Sequence, residues 1–306
     1  MGQCRVHGRF VCAPRSVLSP PPAREHLMAP ISSLSNARVK ALRGLRERKT
    51  REQTGLFLVE GVRGVQDALQ LGADVEQLVV APDLLRHPVG PALFTRQQRL
   101  GTACLEVSAE VYDSITRGVS LKYGPQGLAA VVRQAWLPLP EAIRRRDRCW
   151  VALDAVADPG NLGTILRTCD AVGAAGVILL GPTADPYDPA AVRASMGAIF
   201  SRRLVRATFA ELVAARRRHG FTVVGTSGGA TADYRSVIYR PPVVLLMGSE
   251  HTGLSPQQQE LCDLVVRIPM VGRADSLNVA VATGVVLYEI FHQQPPNVIH
   301  EPMLAV

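Results

Sequence analysis

Three polar segments in the C-terminal half of the chain hold side chains able to orient a ligand, stabilise charge or move a proton. The first, Asp154-Ala-Val-Ala-Asp158-Pro159-Gly160-Asn161, runs on to Arg167 and supplies an amide and a guanidinium. The second, Leu246-Met247-Gly248-Ser249-Glu250-His251-Thr252-Gly253-Leu254-Ser255, puts Glu250 at the tip of a glycine-flanked loop. A carboxylate there can bind a cation, accept a hydrogen bond or take a proton, and the glycines permit close backbone approach to a ligand. The third runs from Ile268-Pro269-Met270 through Gly272 to Ser276-Leu277-Asn278, where a helix starts. Polar side chains and free N–H groups at a helix start can hold a ligand or developing negative charge.

Each feature alone has an ordinary explanation. Asn161 suits a cap or turn, Arg167 a surface ion pair, and Ser276 a plain N-cap. Asn161 and Arg167 are six residues apart, about 240° of rotation on a helix. They can still line one cleft if Asn161 sits in the turn.

All three segments follow apolar runs, where open α/β sheets carry their ligand sites. Those runs are Trp150 to Leu153, Val243 to Met247 and Leu264 to Ile268, with Val177 to Leu180 and Phe221 to Val224 between. Uninterrupted apolar strands alternating with helices predict a parallel sheet covered on both faces, in a unit spanning 149–293. The stretch from Val279 to Ile290 is apolar all round, which predicts a buried helix.

A smaller α/β unit is expected over 31–132. Ser35-Asn36 caps a basic helix from Ala37 to Lys49, and Leu56 to Val59 is a strand. Val62 to Leu71 is a helix ended by Gly72, Leu78 to Val80 and Leu105 to Val107 are strands, Ser108 to Thr116 is a helix, and Gly127 to Val132 closes the unit. Residues 133–148, with two prolines and a charge cluster, read as a linker. The stretches 1–30 and 294–306 read as loose tails, and Met28 is a candidate start.

The 306 residues carry 34 Lys plus Arg against 26 Asp plus Glu, a net charge of +8 that suits a polyanionic partner. The basic runs Arg144-Arg145-Arg146 and Arg216-Arg217-Arg218 fit either RNA contact or a solvated helix face. None of the six cysteines forms a C-x-x-C pair, so no zinc or redox motif is signalled, and a reducing cytoplasm fits. No run reaches the roughly 18 apolar residues of a membrane span. No G-x-G-x-x-G follows the first strand of the second unit, and no P-loop occurs. Gly225-Thr-Ser-Gly228-Gly229 lacks the spacing of a dinucleotide site.

In order and spacing, DPGNLGTILRT (158–168), DPYDPAAVRASMGAIF (185–200), GSEHTGLS (248–255) and IPM with SLNVAVATGVVLYE (268–270, 276–289) resemble the SpoU/TrmH family of SPOUT-class RNA ribose 2′-O-methyltransferases. GVRGVQDAL (61–69) and KYGPQGLAAVV (122–132) are similar to the family's N-terminal domain. The sequence departs from the family pattern at His251-Thr252 and Ala274-Asp275. The resemblance implies a trefoil-knotted parallel-sheet α/β methyltransferase domain, a topology that breaks the usual rule against threading. It implies a small ribosomal-protein-like α/β domain, for binding RNA, in front of it.

The resemblance assigns Asn161, Arg167, Glu250, Ser276 and Asn278 to the catalytic centre. It has the backbone around Leu246, Gly248, Ile268, Met270 and Leu277, with Thr226, cradle S-adenosylmethionine, and no metal. Guanidinium, with a pKa above about 12, is a poor base. Arg167 is therefore expected to hold a phosphate and a developing alkoxide, with the proton passing to water or Glu250. The implied partners are RNA, with 23S rRNA first, and a second copy of the chain through the apolar helix. Candidate RNA contacts are Arg38, Lys40, Arg43, Arg46 and Lys49, with Arg48 and Arg51 beside them. The alternatives are a tRNA ribose methyltransferase and a catalytically silent RNA-binding or ribosome-assembly protein. A role in resistance to a ribosome-targeting antibiotic is part of the same expectation.

Overall fold

Side chains along each apolar run alternate between two faces, and this alternation builds the cores. The computed structural model describes residues 30–117, 124–144, 146–250 and 252–294. The expectations for 1–29, 295–306, Lys122, Arg145 and His251 lie outside them.

The first unit has a four-stranded mixed sheet of β1 (Leu56–Glu60), β2 (Val75–Val80), β3 (Ala103–Glu106) and β4 (Leu128–Arg133), in the order β1-β4-β2-β3. Around it lie α1 (Ala37–Gly44), α2 (Arg48–Thr54), α3 (Val62–Gln70), α4 (Gly90–Arg99) and α5 (Ala109–Thr116). The expected single helix from Ala37 to Lys49 is two helices. Asn36 caps α1 by accepting from Arg38 N, and the chain turns over residues 45–47 before α2 begins. Leu45 is buried in that turn, so packing breaks the helix where propensity alone would continue it. Helix α4 is polar over its second half and buries only Gly90 and Gln97, so no buried apolar stripe marks it.

The linker over 133–148 is packed against the larger unit. It contains α6 (Leu139–Ala142), and Leu139, Ala142 and Ile143 are buried in a core with Trp150 and Val205. Asp147 accepts from the Trp150 indole and pairs with Arg203 at 2.6 Å.

The second unit has a seven-stranded parallel sheet in the order β7-β6-β5-β10-β8-β11-β9. Its strands are β5 (Cys149–Asp154), β6 (Gly176–Leu180), β7 (Arg203–Ala207), β8 (Thr222–Thr226), β9 (Ala232–Asp233), β10 (Val243–Met247) and β11 (Leu264–Arg267). The helices are α7 (Pro159–Ala171), α8 (Pro189–Ser195), α9 (Ala198–Ser201), α10 (Phe209–His219), α11 (Pro256–Leu261) and α12 (Val279–Gln293). Strand β10, late in the chain, lies between β5 and β8. This insertion brings the loops after β8, β10 and β11 to one edge. No described helix is long and apolar enough to cross a membrane.

In β10, Val243, Leu245 and Met247 join one core, and Val244 and Leu246 join the other. The first of these cores continues into the smaller sheet through Phe57, Val59 and Leu78, so the two units share one apolar interior. Helix α7 buries Leu162, Ile165, Leu166 and Cys169, an i, i+3, i+4, i+7 stripe. Burying the three large aliphatics contributes about 1.5–3 kcal/mol each. That outweighs the roughly 1 kcal/mol cost of a helical glycine at Gly163. The glycine is required, since a Cβ there would stand 2.3 Å from Ala191 O.

A buried ion pair fastens the units together. Arg51 on α2 is 1% exposed. Its Nε donates to Asp185 Oδ2 at 2.8 Å, Nη2 to Asp188 Oδ2 at 3.4 Å, and Nη1 to the Leu45 and Arg46 carbonyls. Asp188 also caps α8. Tyr187, between the two aspartates, packs on Phe57 and Trp136 and bonds the Ala135 backbone.

Candidate active site

The carboxyl ends of β8, β10 and β11 and the segment before α12 enclose a cleft of about 660 Å³. Pockets of 300–1,000 Å³ are typical of small-molecule and cofactor sites. Its lining includes Thr226, Gly248, Glu250, Ile268, Met270, Ser276, Leu277 and Asn278. The loop after β10 closes on itself through Ser249 and Gly253, whose backbones bond each other in both directions. A Cβ at Gly248 would stand 2.2 Å from Gly253 C, so the tight loop requires glycine.

A hydrogen-bonded relay joins the three segments. The Asn278 Oδ1 atom accepts from the Ala280 and Val281 amides and so caps α12. This orients its Nδ2 to donate to Asn161 Oδ1 at 3.0 Å. Asn161 must then present Nδ2 outward, and it donates to Glu250 Oε1 at 2.5 Å. Two backbone amides thus fix the donor and acceptor roles of both side chains. They also fix one oxygen of an exposed carboxylate. Asp158 caps α7 by accepting from Asn161 N at 2.6 Å, which seats Asn161 in the first helical turn.

Several expectations need correction. Asn161 lies in the helix, not in the turn before it. The α12 cap is Asn278, because the helix starts at Val279; Ser276 is exposed ahead of it and donates to Asp275 Oδ1 at 3.3 Å. Leu246 is expected to offer its backbone, and its side chain is turned away from the cleft. Strand alternation sends it to the opposite core, and Met247 lines the cleft instead. Helix α12 is not buried all round: Val281 and Tyr288, each 53% exposed, form an uncovered ridge. Arg167 is exposed on α7 and does not line the cleft. It precedes Thr168, whose methyl group lies beside Gly284 of α12.

The basic candidates also separate. Arg38, Lys40 and Lys49 are exposed. Arg43 donates to the Leu34 carbonyl, and Arg46 to those of Arg43 and Arg117. Arg48 pairs with Glu52 and reaches the Thr183 carbonyl, and Arg51 is buried in the junction. Of the other basic runs, Arg216 pairs with Asp263, while Arg144, Arg146, Arg217 and Arg218 are exposed. Met247, Ser227, Thr252, Asp275 and Val279 line the cleft without having been anticipated. Strand alternation could have identified Met247. Among the described residues, no cluster of His, Cys, Asp and Glu could hold a metal ion.

Comparison with known proteins places this geometry among RNA-modifying enzymes. Residues 148–288 match the SpoU rRNA Methylase family, and residues 36–130 match the MRM3-like substrate binding domain. A 23S rRNA (guanosine(2553)-2′-O)-methyltransferase of Bacillus subtilis is 32% identical over 86% of this chain and 99% of its own length. A 23S rRNA (uridine(2479)-2′-O)-methyltransferase of Streptomyces viridochromogenes is 36% identical over 83% of this chain and 88% of its own. Among solved structures, an AdoMet-bound rRNA methyltransferase from Sinorhizobium meliloti superposes with a TM-score of 0.78 at 39% identity, covering 86% of this chain and 97% of that one. The matches to both units and the near full-length relatives agree: the chain belongs to the SpoU rRNA methylase family.

Proposed function

We propose that the protein transfers a methyl group from S-adenosylmethionine to a ribose 2′-hydroxyl of 23S rRNA. The observation that carries this reading is the Asn278–Asn161–Glu250 relay at the rim of the 660 Å³ cleft. The cleft suits the cofactor. Its apolar wall of Ile268, Met270, Leu277 and Val279 can flank an adenine ring, and the backbone around Gly248 can meet its polar edge. Thr226 and Met247 close the floor. Bound S-adenosylmethionine supplies an electrophilic methyl group.

The residues of the chain do the rest. Glu250, with Oε1 held by Asn161, offers its other oxygen to the departing hydroxyl proton, directly or through water. Asn161 and Asn278 are positioning residues in this account, and Ser276 lies on the same wall. Arg167 holds the phosphate beside the target ribose and stabilises the developing alkoxide, a role for which its planar fork is suited.

A second copy of the chain completes this site. Val281 and Tyr288 form an exposed apolar ridge on α12, and Arg167 flanks it next to the Thr168–Gly284 contact. Pairing along this ridge would cover it and bring Arg167 to a partner's cleft. Sedimentation of the wild type is expected at twice the chain mass, with Val281→Asp/Tyr288→Arg sedimenting as a monomer of low activity. A monomeric, fully active wild type would contradict the dimer. The same reading has the inserted β10 and the chain after it threaded as a knot.

In the smaller unit, Arg38, Lys40 and Lys49 are the proposed phosphate contacts. Replacing all three by Glu is expected to reduce the slope of log K against log salt by about 2, at roughly 0.7 per phosphate on single-stranded RNA. Cofactor affinity should be unchanged. A salt slope equal to that of the wild type would remove these residues from the interface. Calorimetry with S-adenosylmethionine tests the cofactor step directly. Saturable binding is expected, and it should be lost when Gly248→Val breaks the tight loop that lines the cleft; no binding by the wild type would favour a silent RNA-binding protein.

The role in resistance to a ribosome-targeting antibiotic expected from the sequence is part of this proposal. The protein is expected to act in the cytoplasm, where ribosomal RNA is reached.

A further inference from the structure

Away from the cleft, a slot of about 300 Å³ opens between the two units. The smaller unit contributes Val59, Gly61 and Gly64 to its wall, and the larger contributes Val192, Met196 and Phe200. Glu60 also lines the slot, although it is only 8% exposed. Its Oε1 accepts from Gln126 N at 2.9 Å and from the Tyr112 hydroxyl at 3.3 Å. Its Oε2 is buried and has no hydrogen-bond partner among the described residues. Burial pushes the Glu60 carboxyl above the usual carboxylate range. An unmet buried acceptor in a folded protein calls for an explanation. Nothing in the methyl-transfer account uses this one.

We propose that the slot takes one unstacked nucleobase of the RNA substrate, whose N–H edge donates to Glu60 Oε2 while its ring lies between the apolar walls. The proposal rests on the RNA reading above. A flat body with donor edges matches a slot that has apolar walls and the acceptors of Glu60 and Asp67. Specific RNA recognition commonly takes up splayed bases in this way. Arg63 and Arg193, both exposed, line the outer part of the slot. Arg63 lies 4.0 Å from Asp67, which also lines the slot. Because both units supply walls, the base would be bound only by the two domains together, and the ion pair of Arg51 keeps the slot in shape.

Two variants test this. Glu60→Gln retains an oxygen for Gln126 N and the Tyr112 hydroxyl but puts an NH₂ donor where Oε2 stood. Val192→Trp fills the slot and leaves Glu60 alone. Filter binding to purified 23S rRNA should weaken about tenfold in each, the scale of a lost hydrogen bond to a charged group. The melting temperature and S-adenosylmethionine affinity should stay at wild-type values. Unchanged rRNA binding in both variants would overturn the proposal.

Titration with the four nucleoside 5′-monophosphates reads the slot independently of methylation. Saturable binding that Glu60→Gln abolishes, and that 23S rRNA competes away, supports the proposal. Binding that rRNA does not displace would assign the slot to a free nucleotide and overturn it. If wild-type protein fails to methylate 23S rRNA in the same preparation, the functional reading fails, while these titrations still decide the slot.

Discussion

Arg167→Lys should lower the single-turnover rate of RNA methylation by about 10²- to 10³-fold, the scale of losing one preorganised donor to a developing oxyanion. Cofactor affinity should be unchanged, because Arg167 does not line the cleft. Lysine keeps the positive charge, so long-range attraction of RNA survives. It lacks the planar fork that binds phosphate through two parallel donors. The effect should therefore appear in the chemical step more than in RNA binding. Rapid-quench measurement with saturating RNA separates the two, and near-normal turnover would remove the geometric role given to Arg167. Asn161→Ala should show a smaller loss, since Glu250 would keep its charge and lose only its orientation.

The second large effect concerns stability. Arg51→Met should destabilise the protein by about 3–5 kcal/mol, because it leaves Asp185 as an uncompensated buried charge. The shift per kcal/mol shrinks with chain length, so at the low end of roughly 2–4 °C per kcal/mol the melting temperature should fall by up to about 6–10 °C. Arg51→Lys should fall between the two, since an ammonium cannot reach Asp185, Asp188 and two carbonyls together. Replacing Arg51 and Asp185 together by Met and Leu should recover much of the loss, because the orphaned charge is then gone. Calorimetric unfolding of the three variants checks the series. A wild-type melting temperature for Arg51→Met would mean that the ion pair does not hold the units together.

Arg51 also shows where the sequence was mute. It lies in a run of basic residues, and its neighbours Arg48 and Lys49 are exposed. Only the tertiary fold brings it to Asp185 and Asp188, more than a hundred residues away. The DPYDP segment therefore marks a domain junction, although it stands among motifs that line the cleft.

Strand order has the same character. Apolar runs identified five of the seven parallel strands, but β7 reads RLVRA, with only two apolar residues between its arginines, and β9 has two residues. Nothing local places β10 between β5 and β8. By contrast, alternation along β10 does show that Leu246 and Met247 face opposite ways, and Asp158 before Pro-Gly is a legible helix cap. The Asn278 cap was hidden by Ser276, an equally good capping residue two positions earlier. Its partner Asn161 decides the outcome, and that contact spans 117 residues. Glu60 could not have been singled out at all, because a strand-end glutamate gives no sign of being buried.

The central claim is that the cleft and its relay perform 2′-O-methylation. The most direct measurement incubates the purified protein with radiolabelled S-adenosylmethionine and 23S rRNA, followed by alkaline hydrolysis. A 2′-O-methyl group blocks cleavage of its own linkage, so the label should remain in an alkali-resistant dinucleotide at one position and disappear with Arg167→Ala. Label released in mononucleotides as a methylated base would contradict the account.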